Sequence, residues 1–258
     1  MNIVAIIPAR LESSRFPGKP LKEIHGKPMI GHCLKRTQLC SEISETYVAT
    51  CNQEIYQYVE SIGGKAIMTS SSHERASDRT AEAMLKIEST LKKQIDIVVM
   101  VQGDEPMITP EMISAAIQPF YEDKGVNVVN LMGKIKSIEE FNDPNEVKVV
   151  ADLNNNAIYF SREPIPSIKK GTSINSMHKQ ICIIPFRRDY LIKFNEMEET
   201  SLEIIESIDM LRVIENGEKV KMVMTDADAY SVDTPDDLIK VQQKMVADSL
   251  MSNYLKLI

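Results

Sequence analysis

Four features are missing from this 258-residue sequence, and each absence excludes a class of protein. No apolar stretch approaches the roughly 18 residues of a membrane-spanning helix, so no membrane insertion is expected. The four cysteines (Cys33, Cys40, Cys51 and Cys182) show neither Cys-x-x-Cys pairs nor zinc-site spacing, which favours free thiols. No basic-then-apolar leader opens the sequence, so the expected location is the cytoplasm. Basic residues are in deficit, and the formal net charge of −7 argues against broad nucleic-acid binding.

The composition is that of an ordinary soluble globular protein. Apolar residues make up 43% and charged residues 26% of the chain, and the length is enough for one large domain with a smaller lobe. Strand and helix patterns alternate through the first hundred residues, which predicts right-handed βαβ units and a mostly parallel sheet. The predicted elements are strand Ile3–Ile7, helix Met29–Leu39, strand Glu45–Thr50, helix Gln53–Ile62, strand Lys65–Met68, helix Ser77–Lys92 and strand Ile95–Val101.

The regular alternation loosens after about Gly133. We therefore predict a nucleotide-binding domain over residues 1–133, a smaller lobe over 134–219 and a return to the first domain over 220–258. The elements predicted for this half are strands Phe141–Val150, Ala157–Phe160 and Gln180–Pro185, helix Ser201–Glu215, strand Val220–Met224 and helix Pro235–Asp248.

The first twenty residues carry the most specific chemical pattern. A short apolar strand, Ile3–Ile7, is followed by Arg10, Arg15 and Lys19 on a loop rich in glycine and proline. Open α/β sheets bind ligands at the carboxyl ends of their strands, and these cations suit the phosphate oxygens of a nucleoside triphosphate. The loop is neither a Walker A sequence nor a dinucleotide fingerprint. The alternative interpretation is a solvated basic loop.

Two aspartates stand next to predicted elements, and the first of them is a candidate ligand for Mg²⁺. Asp104 follows the buried strand directly, where a hard oxygen ligand would meet bound phosphates, although a carboxylate in this position often only caps a helix. Asp233 precedes Thr234 and Pro235, a pair typical of a helix start, and Asp237 completes a partial capping box.

Several strings, in the same order along nearly the whole chain, resemble the 3-deoxy-manno-octulosonate (Kdo) cytidylyltransferase family. They are Pro-Ala-Arg with Arg-Phe-Pro-Gly-Lys-Pro-Leu at 8–21, His-Glu-Arg-Ala-Ser-Asp-Arg at 73–79, Val-Gln-Gly-Asp-Glu-Pro at 101–106, Phe-Asn-Asp-Pro-Asn-Glu-Val-Lys-Val-Val at 141–150, Ala-Ile-Tyr-Phe-Ser-Arg-Glu-Pro at 157–164 and Val-Asp-Thr-Pro-Asp-Asp-Leu at 232–238.

The resemblance implies a fold and an activity. The fold is a Rossmann-like nucleotidyltransferase with a mostly parallel sheet and a smaller inserted α+β lobe that binds the acceptor and forms a homodimer. The activity is Mg²⁺-dependent transfer of CMP from CTP to the anomeric hydroxyl of an acidic sugar, with release of pyrophosphate, for lipopolysaccharide biosynthesis.

The resemblance also implies roles for individual residues. Arg10, Lys19 and Asp104 are the expected catalytic residues, and Asp104 and Asp233 the metal ligands. The expected nucleotide-binding residues are Arg10, Arg15, Lys19, Arg79 and Gln102, and the expected acceptor-binding residues are Arg162, Gln180 and Met210.

The sequence departs from the family pattern mainly in the acceptor region. Gln180 replaces a histidine, Ile184 a tyrosine and Met210 a glutamine, while Arg75-Ala76 replaces Ser-Gly in the nucleotide loop. Because buried polar groups discriminate strongly between hydroxyl-bearing substrates, two alternatives stay open. One is a different acceptor, such as an amino-sugar acid or a phosphonate, and the other is a non-catalytic nucleotide-binding relative.

Overall fold

The computed structural model describes residues 1–13, 15–169, 171 and 173–258, with only the backbone of Asn175. The strands among these residues are β1 (Ile3–Ala9), β2 (Glu23–Ile24), β3 (Lys27–Pro28), β4 (Glu45–Thr50), β5 (Lys65–Met68), β6 (Ile97–Val101), β7 (Val129–Lys134), β8 (Lys148–Ala151), β9 (Ala157–Ser161), β10 (His178–Ile181), β11 (Ile183–Arg187) and β12 (Lys221–Thr225).

Helices follow most of the strands. They are α1 (Met29–Gln38), α2 (Gln53–Ser61), α3 (Ala76–Leu91), α4 (Pro110–Ile117), α5 (Pro119–Glu122), α6 (Ile138–Asn142), α7 (Arg188–Glu196), α8 (Ser201–Glu206), α9 (Met210–Glu215), α10 (Pro235–Met245) and α11 (Met251–Tyr254). In the described part of the chain, none of them has the length and apolar character that crossing a membrane requires.

The chain divides into two compact units. The first comprises Met1–Ser114 and Asp228–Ile258, and the second Ala115–Ala227. The sequence places these divisions at 134 and 219 instead, because the apolar run of β7 continues the rhythm of the first half. In the structure, β7 instead pairs with β10 and β12, both of which belong to the second unit.

The first unit contains the predicted parallel strands, in the order β6-β1-β4-β5. All seven residues of β1 are buried, as expected for a strand covered on both faces. Two neighbouring strands, β4 and β6, flank β1 in parallel, so the carboxyl ends of all three lie at one edge. The predicted mixed α/β class with a mostly parallel sheet is confirmed.

The start of α10 illustrates how local sequence fixes an element of this unit. The Thr234 hydroxyl accepts a hydrogen bond from the Asp237 amide, the Asp237 carboxylate accepts one from the Thr234 amide, and Pro235 occupies the first turn. The capping box predicted from the sequence is therefore present. It places Asp233 immediately before the helix.

The second unit is built on a mixed sheet with the strand order β12-β7-β10-β8-β9. Strands β12 and β7 are parallel, whereas β10 pairs antiparallel with β7 and β8, and β8 with β9. Phe141 packs in this unit in a small core with Ile135 and Met177.

Three predicted elements of the second unit are wrong in extent. Phe141–Val150 is not one strand, because Ser137 caps a short helix by accepting a hydrogen bond from the Glu140 amide. Gln180–Pro185 is two strands separated at Cys182. Ser201–Glu215 is two helices, because Ser207 adopts a left-handed conformation (φ 55°) that ends the first of them.

Candidate active site

A polar cavity of about 290 Å³ lies in the first unit. Its cationic lining includes Arg10, Arg15 and Lys19, which the sequence predicts as triphosphate ligands. Arg79, Gln102 and Asp104 line it as well, so six of the predicted site residues share one cavity.

The sheet topology brings these residues together. Arg10 directly follows β1, and Gln102 and Asp104 directly follow β6, which is parallel to β1 and adjacent to it. Gly103 sits between them, and a Cβ there would come within 3.0 Å of the Pro8 carbonyl oxygen. The absent side chain thus allows the β6 loop to pack closely against the end of β1.

The basic loop is held in shape by backbone contacts and by a residue from β4's carboxyl end. Gly18 is left-handed (φ 69°) and its amide donates to the Leu11 carbonyl at 3.0 Å, which closes the loop. Asn52 accepts a hydrogen bond from the Leu11 amide at 2.9 Å and donates one to Glu12 at 3.0 Å. The hydrogen bond from Asn52 is the main reason that the pKa of the Glu12 carboxyl is lowered.

Lys19 joins the two predicted metal ligands. Its Nζ donates to Asp104 Oδ2 at 2.6 Å and to Asp233 Oδ1 at 3.2 Å. Asp104 and Asp233 are 129 positions apart in sequence, and this shared ammonium shows that their carboxylates face the same point. Arg15 adds a contact from Nη2 to Asp233 Oδ1 at 3.0 Å.

The environment keeps Lys19 charged. Burial would lower its pKa, since only 12% of the side chain is exposed, but the charges of Asp104 and Asp233 outweigh burial and hold the pKa above its ordinary value. A protonated ammonium between two carboxylates is the form that also binds phosphate oxygens.

The Asp104 and Asp233 pair fits Mg²⁺. Both offer hard oxygen ligands directed at one cation, and Mg²⁺ in phosphate-binding sites is typically held by one or two carboxylates together with substrate phosphates and water. No cluster of three or more potential protein ligands occurs among the described residues. Such a pair therefore suits a metal that arrives with a phosphorylated substrate.

Arg79 takes part in the site differently from the other cations. It lines the cavity but is almost fully buried, at 2% exposure. Its guanidinium donates to Thr69 Oγ1 at 2.5 Å and to the carbonyls of Ser70 and His73, each at 3.2 Å. These contacts fix the loop that precedes α3, and a direct contact with nucleotide stays a prediction.

Several residues of the site region were not predicted from the sequence. Glu74 and Arg75 line the cavity at the start of α3, and Asn52 braces the basic loop from β4. The sequence signal that could have identified Asn52 as a site residue is its position shortly after a buried parallel strand. Arg75 is the residue that replaces the family's serine, so this departure adds a cation to the wall of the cavity.

The predicted acceptor residues all lie in the second unit, and each has an identifiable local role. Gln180 donates from Nε2 to Asn130 Oδ1 at 2.5 Å. Arg162 donates from Nε to the Glu206 carbonyl at 2.7 Å and from Nη1 to the Pro144 carbonyl at 2.9 Å. Met210 is buried, at 1% exposure. The acceptor roles of Arg162, Gln180 and Met210 remain predictions.

A parallel α/β sheet whose strand ends carry triphosphate-binding cations and paired carboxylates is typical of nucleotide-dependent transferases. The sequence model of the cytidylyltransferase family matches residues 4–220. The chain therefore belongs to the cytidylyltransferase family.

Individual relatives are similar over nearly their full length. A 3-deoxy-manno-octulosonate cytidylyltransferase of Geotalea daltonii is 44% identical, covering 95% of this chain and 98% of the relative. One of Geobacter sulfurreducens is 43% identical, covering 95% and 100%. A solved structure of CMP:2-keto-3-deoxy-manno-octonic acid synthetase complexed with CTP has a TM-score of 0.85 and 38% identity, covering 95% of this chain and 99% of that one.

Proposed function

We propose that this protein transfers CMP from CTP to the anomeric hydroxyl of Kdo and releases pyrophosphate. The observation that carries the proposal is the arrangement around Lys19. One ammonium contacts both Asp104 and Asp233 beside a cavity that Arg10 and Arg15 also reach. The names of relatives more than 40% identical over 95% of the chain support the same activity.

The cations of the basic loop bind the triphosphate and stabilise the leaving group. Arg10 and Arg15 present planar guanidinium groups that hydrogen-bond two phosphate oxygens at once, and Lys19 supplies a compact charge. As the bond to the α-phosphorus breaks, negative charge grows on pyrophosphate, and cations already in place lower the energy of that transition state.

The Asp104 and Asp233 carboxylates would hold Mg²⁺ at the phosphates. Mg²⁺ held there would supply Lewis-acid polarisation of the α-phosphate and would lower the pKa of the attacking hydroxyl. The protein's own contribution is to position the reactants in line, with Gln102 at the cavity wall contacting the nucleotide.

The second unit supplies the acceptor site and the homodimer contact in this proposal. Arg162 and Gln180 are its polar candidates for the acceptor. Three isoleucines expose more than half of their surface on β9 and α8: Ile158, Ile204 and Ile205. The Tyr159 hydroxyl donates to Glu206 at 3.2 Å, which links these two elements. Exposed apolar residues of this kind support pairing with a second copy.

The proposed setting is the cytoplasm, where the activated sugar acid serves lipopolysaccharide biosynthesis. In the described part of the chain no disulfide bond joins any of the four cysteines, which agrees with a reducing compartment.

Pyrophosphate release tests the proposed function. The purified protein is mixed with Mg²⁺, one nucleoside triphosphate (CTP or UTP) and one acceptor: Kdo, its amino analogue, a sialic acid or a phosphonate. The proposal predicts release with CTP and Kdo. Release with another acid and not with Kdo would identify Gln180 and Met210 as marks of a changed acceptor. No release with any pair, while CTP still binds, would favour the non-catalytic relative.

A further inference from the structure

Lys19 and Arg15 contact the carboxylates that the proposed function assigns to Mg²⁺. Lys19 Nζ lies 2.6 Å from Asp104 Oδ2, and both Lys19 Nζ and Arg15 Nη2 contact Asp233 Oδ1, at 3.2 Å and 3.0 Å. A divalent ion bound to these oxygens would lie next to the Lys19 ammonium, because that ammonium is within hydrogen-bond distance of the same oxygens. The two cations repel each other, so metal and Lys19 compete for one position.

The competition is strong because the cluster is balanced in charge and poorly exposed to water. Two carboxylates face two cations, and the side chains of Lys19 and Asp233 are only 12% and 14% exposed. Charged hydrogen bonds in such surroundings are screened less than pairs at the surface. Arg15 is half exposed and contacts Asp233 but not Asp104 through the ion pairs described above, so its share of the competition is smaller.

A triphosphate offers both cations a second set of partners. Lys19 and Arg15 line the cavity itself, and phosphate oxygens carry more negative charge than the carboxylates that these side chains contact. When Lys19 turns to the phosphates, it leaves Asp104 and Asp233 with two uncompensated charges next to the bound polyanion. Two partly buried carboxylates without a countercharge are energetically unfavourable, and a divalent cation that binds to them offsets this cost.

We propose that Lys19 is a tethered cation that keeps the carboxylate pair closed to metal until a nucleoside triphosphate draws its ammonium away. Nucleotide and metal then bind with positive coupling, and each strengthens the binding of the other by the same factor. This inference rests on the proposed function, because it takes Asp104 and Asp233 as the metal ligands.

The test measures Mn²⁺ binding to the full-length protein without nucleotide, by electron paramagnetic resonance of the free ion. Lys19→Gln removes the competing ammonium and is expected to bind Mn²⁺ about tenfold more tightly than wild type, the equivalent of one charged hydrogen bond. Arg15→Gln is expected to gain roughly twofold to threefold, since the Arg15 side chain is half exposed and its ion pair with Asp233 is screened by water. Lys22→Gln is the matched control: Lys22 lies nearby but over the Phe16 ring, so no gain is expected.

The double variant Lys19→Gln with Asp104→Asn is expected to lose the increase in Mn²⁺ affinity that Lys19→Gln shows. That loss would assign the bound ion to this carboxylate pair. Equal Mn²⁺ affinity in wild type, Lys19→Gln and Arg15→Gln would overturn the inference. Arg15→Gln keeps Lys19 and its buried contacts, so it gives an answer even if Lys19→Gln folds poorly. Pyrophosphate release by wild type separates the two failures: release without any Mn²⁺ gain overturns the tethered-cation inference alone, whereas no release overturns the proposed function.

Discussion

The backbone amide of Val232 donates a 2.9 Å hydrogen bond to the carbonyl oxygen of Asp104. This bond joins the loop after β6 to the segment before α10. Asp233 follows Val232 directly, so the two candidate metal ligands are fixed by their backbones as well as by the shared Lys19. A metal site with two carboxylate ligands requires that the positions of both ligands are fixed in this way.

Asp104→Asn and Asp233→Asn are each expected to lower kcat with Mg²⁺ by about a thousandfold, because each removes a charge that binds the metal at the phosphates. The double variant is expected to lose little more than either single variant, since the two carboxylates act as one unit. Steady-state pyrophosphate release measures all three.

Asp236→Asn is the control for this pair. Asp236 lies in the first turn of α10 and is exposed, so near wild-type turnover is expected. Wild-type turnover by Asp104→Asn, or additive losses in the double variant, would contradict the assignment of one shared metal site.

The sequence was most informative where chemistry follows a buried parallel strand. Arg10 after β1 and Asp104 after β6 could be assigned to one sheet edge from the alternating pattern alone. The contacts of Lys19 could not be predicted. They depend on how the loop closed by Gly18 folds back on the sheet and on how α10 returns to it. Both are tertiary facts with no local sequence signal.

The second unit was harder to predict because its elements are short. Ser207 interrupts a helical periodicity that continues on both sides of it, so Ser201–Glu215 reads as one helix. For α6 the sequence does carry a signal, because Ser137 and Glu140 have the spacing of a capping box. The β-branched residues that follow Phe141 outweighed it.

Gln180→His is expected to change the KM of the acceptor by about tenfold while the KM of CTP stays within about twofold. Gln180 donates to Asn130 Oδ1, and the orientation of the buried Asn130 is fixed because its Nδ2 donates to the Leu131 and Ile181 carbonyls. A histidine would reshape the polar surface there without touching the nucleotide cavity. Separate titrations of CTP and acceptor check this, and parallel shifts in both KM values would contradict an acceptor role.

Glu203→Gln is expected to lower the free energy of unfolding by about 3–5 kcal/mol, because it leaves a buried arginine without its charge partner. Arg212 donates to both Glu203 oxygens, at 2.7 Å and 2.6 Å, and both side chains are buried. Asp189→Asn breaks the exposed pair with Arg188 and is expected to cost less than about 1 kcal/mol. Urea unfolding measures the free energy of unfolding of both variants. Equal losses in the two variants would show that burial does not strengthen the ion pair of Glu203 with Arg212.

His32 is expected to make stability depend on pH between 6.5 and about 4. Burial is the main cause that lowers its pKa from 6.5 to about 4, while Nδ1 contacts the Tyr254 hydroxyl and Nε2 the Ile24 carbonyl, each at 2.9 Å. The unfolded chain binds the proton first as pH falls. The contribution is therefore complete above pH 6.5 and is lost towards pH 4, by up to about 3 kcal/mol.

His32→Gln should flatten this part of the stability profile, measured by urea unfolding at several pH values. His25→Asn, which removes an exposed imidazole of the same unit, should retain the wild-type slope. An unchanged slope in His32→Gln would assign the pH dependence to other groups.

In the proposed reaction, the α-phosphorus of CTP is transferred to the anomeric oxygen of Kdo. Phosphorus NMR of the protein with CTP, Mg²⁺ and Kdo tests it directly, because the transferred phosphorus becomes a phosphodiester. We expect that signal to grow in equal proportion with inorganic pyrophosphate, and to require Kdo. Formation of CDP or free CMP without a phosphodiester, or an unchanged CTP spectrum, would contradict the proposed transfer of CMP to Kdo.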